Sequence, residues 1–190
     1  SLLGINANVE WRDGVEIGTV DSSRKDTIWH PVYGERSEIK DCYHAWKIVV
    51  NRQNGRDKLI FDVRAYDEGI AFRYHFPGGQ YLKITDEYTE YTMPEGTKAY
   101  FTPKAQTPYF YLPLENWPGE SDRPLLLALA DGGYVCLAEA QVVDYVRTKF
   151  NVSPTKKNTV ISAMYGPVED IAPYSTPWRV IMCADKPGEI

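Results

Sequence analysis

The sequence predicts an antiparallel all-β sandwich, and three observations carry that prediction. Apolar side chains alternate with period 2 through successive short runs, most cleanly between Ala45 and Phe76. Turn signals rich in glycine and proline separate the runs, with 13 prolines spread along the 190 residues. No window of helical length carries a 3.6-residue period. The length suits one medium domain that can bury a full core. There are no internal repeats or low-complexity tracts, so residues 1–190 read as a single domain.

In chain order, residues 1–20 alternate weakly around a turn at Arg12-Asp13-Gly14, and the polar stretch Asp21 to Asp26 reads as a loop. Thr27 to Glu35 gathers Trp29, His30, Pro31, Tyr33 and Glu35, and its proline excludes a helix interior. Trp46, Ile48 and Val50 then alternate with Lys47, Val49 and Asn51. After a turn at Gln53-Asn54-Gly55-Arg56, Lys58 to Tyr66 returns with Leu59, Phe61 and Val63 on one face. A second turn, Asp67-Glu68-Gly69, leads into Ile70, Phe72, Tyr74 and Phe76, which completes a three-stranded meander. Tyr81 to Met93 holds one or two further strands. Pro94 to Pro124 is expected to be a long aromatic connection, and such loops usually carry function or cover something. Lys149 to Val152, Thr159 to Tyr165 and Trp178 to Cys183 are the last strands.

Between these lies the stretch of most chemical interest. Leu125 to Ala130 and Gly133 to Tyr145 flank Asp131-Gly132-Gly133, a strong hairpin signal. On the second strand, Tyr134, Cys136, Ala138, Ala140 and Val142 share one face, and Val135, Leu137, Glu139, Gln141 and Val143 the other. Both faces are mostly apolar, so the strand is expected to be covered on both sides. Glu139 then sits among Val135, Leu137 and Val143, where a carboxylate is costly unless hydrogen-bonded, paired or bound to a metal. Pairing with an arginine such as Arg179 or Arg73 is one solution, and a metal is the other.

Composition removes several function classes. A formal charge of −5 without a basic stripe argues against nucleic acid, and Lys156-Lys157 reads as a solvated turn. Three cysteines (Cys42, Cys136 and Cys183) are too few for a disulfide framework, and their spacing matches no zinc site. Cys136 and Cys183 lie in apolar strand patterns, where cysteine behaves as a small hydrophobe. No apolar run approaches a membrane span, and no signal peptide is present. The apolar start at Ser1-Leu2-Leu3-Gly4 and the polar end from Ala184 to Ile190 suggest a segment of a longer, processed protein. Aromatic residues make up 13% of the chain, 14 of them tyrosines, which suits strands and sugar-binding or interfacial surfaces.

Nucleophilic catalysis finds no support, since there is no G-x-S-x-G and no serine with an evident histidine partner. His30, His44 and His75 are dispersed, and structural hydrogen bonds suit His30 and His75 best. Paired carboxylates could do glycoside chemistry, but spacing does not pair Glu139 with Glu35, Asp144 or any other acid. The chain alone is therefore expected to be non-catalytic.

Four motifs carry a resemblance. Trp29-His30-Pro31-Val32-Tyr33-Gly34-Glu35, the run Arg64 to Tyr74, Glu139-Ala140 with Asp144-Tyr145, and Thr176-Pro177-Trp178-Arg179-Val180-Ile181 occur in that order. Together they resemble the N-terminal domain of glycoside hydrolase family 97, the bacterial α-glucosidases and α-galactosidases of polysaccharide utilisation. The resemblance covers nearly the whole chain. It implies a β-supersandwich similar to the galactose mutarotase fold, packed in the parent against a (β/α)8 barrel that carries the catalytic carboxylates. It also implies calcium in the complete enzyme, with Glu139 as one ligand among the ~6–8 oxygens calcium takes. Periplasmic or cell-surface location and an oligosaccharide substrate follow from the same resemblance. Two departures bear on sugar specificity: His44-Ala45 where the family usually reads Asn-Glu, and the plain segment Ser162-Ala163-Met164.

The leading expectation is a non-catalytic accessory domain of a calcium-dependent, exo-acting α-glycosidase, shaping the sugar pocket and supplying Glu139. Alternatives are a free-standing carbohydrate-binding module using the Pro94–Pro124 aromatics and a mutarotase-type aldose epimerase, against which the lack of a histidine–glutamate pairing counts.

Overall fold

The computed structural model describes residues 3–53 and 55–190. Ser1, Leu2 and Asn54 lie outside the described residues, and with them part of the expected apolar start and of the Gln53–Arg56 turn. The strands are β1 (Ile5–Asn6), β2 (Glu10–Trp11), β3 (Val15–Trp29), β4 (Ile39–Arg52), β5 (Lys58–Tyr66) and β6 (Gly69–Phe76). Short strands follow: β7 (Tyr81–Ile84), β8 (Asp86–Glu87), β9 (Glu90–Thr92), β10 (Lys98–Phe101) and β11 (Phe110–Pro113). The remainder are β12 (Leu125–Ala128), β13 (Tyr134–Ala140), β14 (Thr148–Val152), β15 (Thr159–Met164), β16 (Val168–Ile171), β17 (Tyr174–Ser175) and β18 (Trp178–Ala184). Helical geometry among the described residues is limited to 3-10 turns at Leu114–Asn116 and Pro187–Glu189, so no helix there could cross a membrane.

All described ladders are antiparallel, as the alternation predicts. One large sheet runs in the order β11-β10-β12-β13-β18-β6-β5-β4-β3, with β17 continuing along β6. Three small sheets, β2-β1-β8, β14-β15-β9 and β16-β7, supply the second layer. The inner faces are chosen by period 2: Leu125 and Leu127 on β12, Val135 and Leu137 on β13, Leu82 and Ile84 on β7 are buried, while Tyr81 and Lys83 between them are exposed. Residues from all four sheets meet in one hydrophobic cluster, including Ile5, Phe72, Tyr91, Leu137 and Val168.

Four expectations change. The polar stretch Asp21 to Asp26 is not a loop but the middle of β3, fully paired with β4 and exposed on both faces. Its register runs from Val15 opposite Arg52 to Trp29 opposite Ile39, with a bulge between Ile17 and Val20. Alternating polarity arises only where one face meets a core, and this edge ribbon meets none, so the usual strand signal is absent. The Pro94–Pro124 connection contains β10, β11 and a 3-10 turn; its prolines flank these elements, and Pro113 ends an edge strand, where the lost donor costs little. β13 stops at Ala140, because Gln141 takes a left-handed φ of 58°. Val142 and Val143 therefore leave the sheet and are exposed, so they do not join the faces assigned to them. The outer face of β13 and β18 is partly open instead of covered: Trp178, Val180 and Met182 line a depression of about 600 Å³.

The junction of β6 and β18 depends on Gly69. It sits opposite Met182 at φ +156°, and an added Cβ would lie 2.0 Å from the Ile181 carbonyl oxygen. Gly69→Ala should push these strands apart and cost about 1–3 kcal/mol in urea unfolding, whereas Gly79→Ala, with nothing within 4 Å of the new Cβ, should change little.

Candidate functional site

The candidate site is a carboxylate–arginine network threaded through the core. In the β13–β18 ladder Glu139 lies directly opposite Arg179, on the face that also carries Leu137 and Phe72. The Glu139 side chain is 2% exposed and that of Arg179 1%, so neither charge is solvated. Arg179 answers the cost with two carboxylates. Its Nε donates to Glu87 Oε1 at 2.8 Å, its Nη2 to Glu87 Oε2, and its Nη1 to Glu139 Oε1. Bidentate pairing of this kind gives short, charge-assisted bonds with fixed geometry. Glu87 comes from β8, in a different sheet, so the guanidinium ties the two layers together.

The remaining acceptor capacity is largely filled. The Thr89 hydroxyl donates to Glu87 Oε1 at 2.6 Å, and the Tyr145 hydroxyl to Glu87 Oε2 at 3.3 Å. Thr148 Oγ1 donates to Glu139 Oε1 at 2.7 Å, and Arg123 Nη1 donates to Thr148 Oγ1 at 3.0 Å. Arg123 Nη1 also meets Glu139 Oε2 as an ion pair, although Oε2 accepts no hydrogen bond of good geometry. Residues Arg123 and Glu139 also line, with Pro124, Ala138 and Val142, a depression of about 510 Å³.

The titration behaviour follows from this packing. Burial pushes the Glu87 carboxyl up, but the Arg179 charge and hydrogen bonds from Arg179, Thr89 and Tyr145 outweigh it and hold it below the usual range. Burial also works against the Arg179 charge, and Glu87 more than restores it. Burial and then the charge of Arg179 lower the Arg123 guanidinium, since two like charges flank one carboxylate. Burial and the Glu87 charge hold the Tyr145 phenol well above its usual value, so it stays a donor.

With fold and site in view, the comparisons with known proteins are decisive on family. A family model described as glycosyl-hydrolase 97 N-terminal matches residues 1–190. The chain belongs to that family. Among solved structures, a variant of a glycoside hydrolase family 97 enzyme from Pseudoalteromonas sp. strain K8 superposes with TM-score 0.89 at 24% identity, covering 98% of this chain and 30% of that one. A β-arabinopyranosidase matches with TM-score 0.85 at 21% identity over 96% of this chain and 34% of its own. A family 36 α-galactosidase from Geobacillus stearothermophilus shares the fold more distantly, with TM-score 0.60 at 13% identity over 97% of this chain and 30% of its own. The chain therefore spans about a third of the length of the enzymes it matches.

Within this family 97 N-terminal domain, Glu139 finds the arginine that the spacing offered, Arg179. Arg73 turns to Asp62 at 3.0 Å on the other face of the sheet. Glu35 and Asp144, weighed as acidic partners of Glu139, are both exposed and are not drawn to it. Glu87, Arg123 and Thr148 carry no signal in the sequence, because their convergence depends on which short strands stack and no local pattern announces it. The histidines satisfy themselves locally: His30 Nδ1 lies 3.1 Å from the Ser37 carbonyl oxygen, His75 Nδ1 2.8 Å from Ser175 Oγ, and His44 stacks near Trp46. Burial lowers the His75 imidazole. Cys183 is exposed, unlike the small hydrophobe its apolar strand suggests, whereas Cys136 is buried. The aromatics named for a sugar-binding alternative, Tyr109, Phe110 and Tyr111, are exposed at the β11 edge.

Whether Glu139 suits a divalent cation turns on its two oxygens. Oε1 is fixed by Thr148 and Arg179, which orients the carboxylate. Oε2 is buried, accepts no hydrogen bond and has the Arg123 guanidinium against it, so it is the one ligand position that Glu139 could offer.

Because the folded-state Glu87 carboxyl is depressed, its contribution is complete above the unfolded value of 4.5 and fades as pH falls through the lower folded value. The stability difference between wild type and Glu87→Gln should therefore be largest near neutral pH, about 3–5 kcal/mol for a broken buried pair, and shrink in urea titrations below pH 4.5. A difference independent of pH would contradict the depressed carboxyl.

Proposed function

We propose that this chain is the non-catalytic accessory domain of a calcium-dependent, exo-acting α-glycosidase of family 97. In this reading it packs against a (β/α)8 barrel of the same parent chain, helps shape the sugar pocket and supplies Glu139 as one calcium ligand. Export to the periplasm or cell surface, in a polysaccharide-utilising bacterium, belongs to the same proposal.

The observation that carries the reading is the outer half of the β3–β4 hairpin. The β5 ladder supports β4 only from His44 onward, so Asp26–Trp29 and Ile39–Cys42 continue past it as a two-stranded ribbon. At its end Val32 is 99% and Tyr33 90% exposed, with Ile28 and Trp29 exposed beside them. A lone two-stranded ribbon is marginal in water, and exposed apolar clusters mark contact surfaces. The residues at this tip belong to the first of the family motifs, yet they contribute nothing to the domain's own core. A motif spent outside the core fits contact with the rest of a parent enzyme, of which this chain's length is about a third in the related structures. Related family 97 enzymes bound to acarbose and to panose favour an oligosaccharide substrate class.

The chain's own residues have a defined part in this scheme. Thr148 and Arg179 hold Glu139 Oε1 in place, leaving Oε2 for the cation. Calcium, when bound, would fix neighbouring acidic groups and polarise the site.

Two measurements on the full-length parent test the proposal. Glu139→Gln should lose about 10–100-fold in activity on nitrophenyl α-glucoside or α-galactoside and in calcium response, the range typical of a metal-shell change, with an unchanged circular dichroism spectrum. Full activity would leave Glu139 a purely structural ion-pair member. Val32→Asp combined with Tyr33→Asp should lower the melting temperature of the parent while leaving that of the 190-residue domain unaltered; equal behaviour in the parent would detach the hairpin from any inter-domain contact.

A further inference from the structure

The outer face of the large sheet carries a cation that the domain itself does not answer. Arg64 on β5 and Arg73 on β6 both lie over the Trp178 ring of β18, with their guanidinium carbons 4.3 and 4.4 Å from its centroid. From the other flank of β5, the Tyr43 ring of β4 approaches Arg64 to 4.5 Å. Arg64 stands opposite Ala45 in one ladder and Ala71 in the next, and these small side chains leave room for its guanidinium between the two rings. Two of the four ordered motifs meet here, since the run Arg64 to Tyr74 supplies both arginines and the run Thr176 to Ile181 supplies Trp178. The two arginines are not equivalent. Arg73 Nε donates to Asp62 Oδ2 at 3.0 Å. Arg64 has no hydrogen bond or ion pair among the described residues, although Asp62 is on the same face and its Oδ1 accepts none. Rings stacked on a guanidinium leave its N–H edge free, and Arg64 is half-buried, so those donors are partly withdrawn from water without a partner. The depression beside it, about 430 Å³, is also lined by Arg24, Lys25, Lys47, Asp62 and Arg73. Lys25 pairs with Asp41 and Arg73 with Asp62, which leaves Arg24, Lys47 and Arg64 without an ion pair among the described residues.

We propose that this face seats an acidic side chain from the remainder of the parent enzyme, with Arg64 as the fork that receives its carboxylate. The proposal rests on the reading of this chain as a domain packed against the rest of a family 97 enzyme, and it adds the face and the contact. Charge complementarity selects the occupant. Three unpaired cations around one depression call for an anion, and a planar guanidinium matches a carboxylate through two parallel hydrogen bonds. Tyr43 and Trp178 hold the fork before contact, so little side-chain freedom is lost on docking. The related enzymes run about three times this length, which supplies the chain that would carry the acid. In such a parent, residues following Ile190 would leave beside this face, because Glu189 and Ile190 line the adjoining depression that shares Arg64 and Trp178. Glu68 and Glu189 line only that adjoining depression, so the incoming carboxylate is steered to the Lys47 side of Arg64.

The test uses the full-length parent carrying Arg64→Lys, treated with a carbodiimide, which joins a lysine amine directly to a carboxylate it touches. Peptide mass spectrometry should find position 64 linked to an aspartate or glutamate beyond residue 190. Arg64→Met, whose unbranched stem can still lie between the rings, should lower the melting temperature of the parent by about 2–4 °C or more. Arg64→Glu should lower it further, and replacing the linked acid by arginine in that background should recover most of the loss. A link from position 64 only to acids within residues 1–190, such as Asp62, would overturn the docking role and leave Arg64 a clamp on Trp178. No link at position 64, while native lysines of this domain link to the rest of the parent, would overturn the Arg64 contact alone. No link between the two parts at any lysine would overturn the packing itself and the contact with it. Added phosphate that raises the melting temperature of wild type but not of Arg64→Met, with no link beyond residue 190, would make the face a free-anion site and overturn the docking role. If Arg64→Glu does not fold, Arg64→Met and neutralisation of the linked acid are compared singly and together, and strictly additive losses would sink the contact.

Discussion

The guanidinium of Arg179, clamped between Glu87 and Glu139, is the constraint on which the rest of the structure depends. Its side chain is 1% exposed, and Glu87 is fully buried. Taking these ions out of water costs several kcal/mol each, and only near-complete hydrogen bonding recovers it. The donors come from distant parts of the chain: Thr89 beside β9, Tyr145 after β13, Thr148 on β14. Each must arrive for the charges to be tolerated, so the network fixes how the small sheets sit on the large one. An apolar core alone would accept several registers of short strands, and a bidentate pair accepts few.

The same network links stability to the proposed site. Glu139 is held at Oε1 by groups that also serve the core, while Oε2 accepts no hydrogen bond. Orientation of a ligand by buried neighbours is what a metal shell needs from its surroundings. The β3–β4 ribbon makes the complementary point at the edge of the sheet. It exposes apolar side chains that the domain's own core does not use, in a family whose solved members run about three times this length.

Much of the fold was legible because burial writes itself into alternation. The meander β4-β5-β6, the β12–β13 hairpin and the last strands all announce themselves by period 2 and by their turns. β3 was not legible, since an edge ribbon exposed on both faces has no apolar side to reveal. β16 and β17 were too short to register as patterns. At the site, Glu139 stood out as a carboxylate among apolar neighbours, and Arg179 was one of two arginines offered for it. Glu87 gave no such signal: in a two-residue strand between polar neighbours its burial depends wholly on the strands stacked against it.

By itself the sequence determined the all-β class, the run of hairpins, the isolation of Glu139 on an inward face and, through four ordered motifs, the family. These are consequences of near neighbours along the chain: side-chain period, turn residues and local spacing. Only the tertiary structure decided that Arg179 takes Glu87 as well as Glu139, that Arg123 reaches Oε2, and that the Trp29–Glu35 motif stands clear of the core. Those facts join residues many strands apart, and which of them meet is set by layer packing and desolvation, terms to which no single stretch of sequence is sensitive.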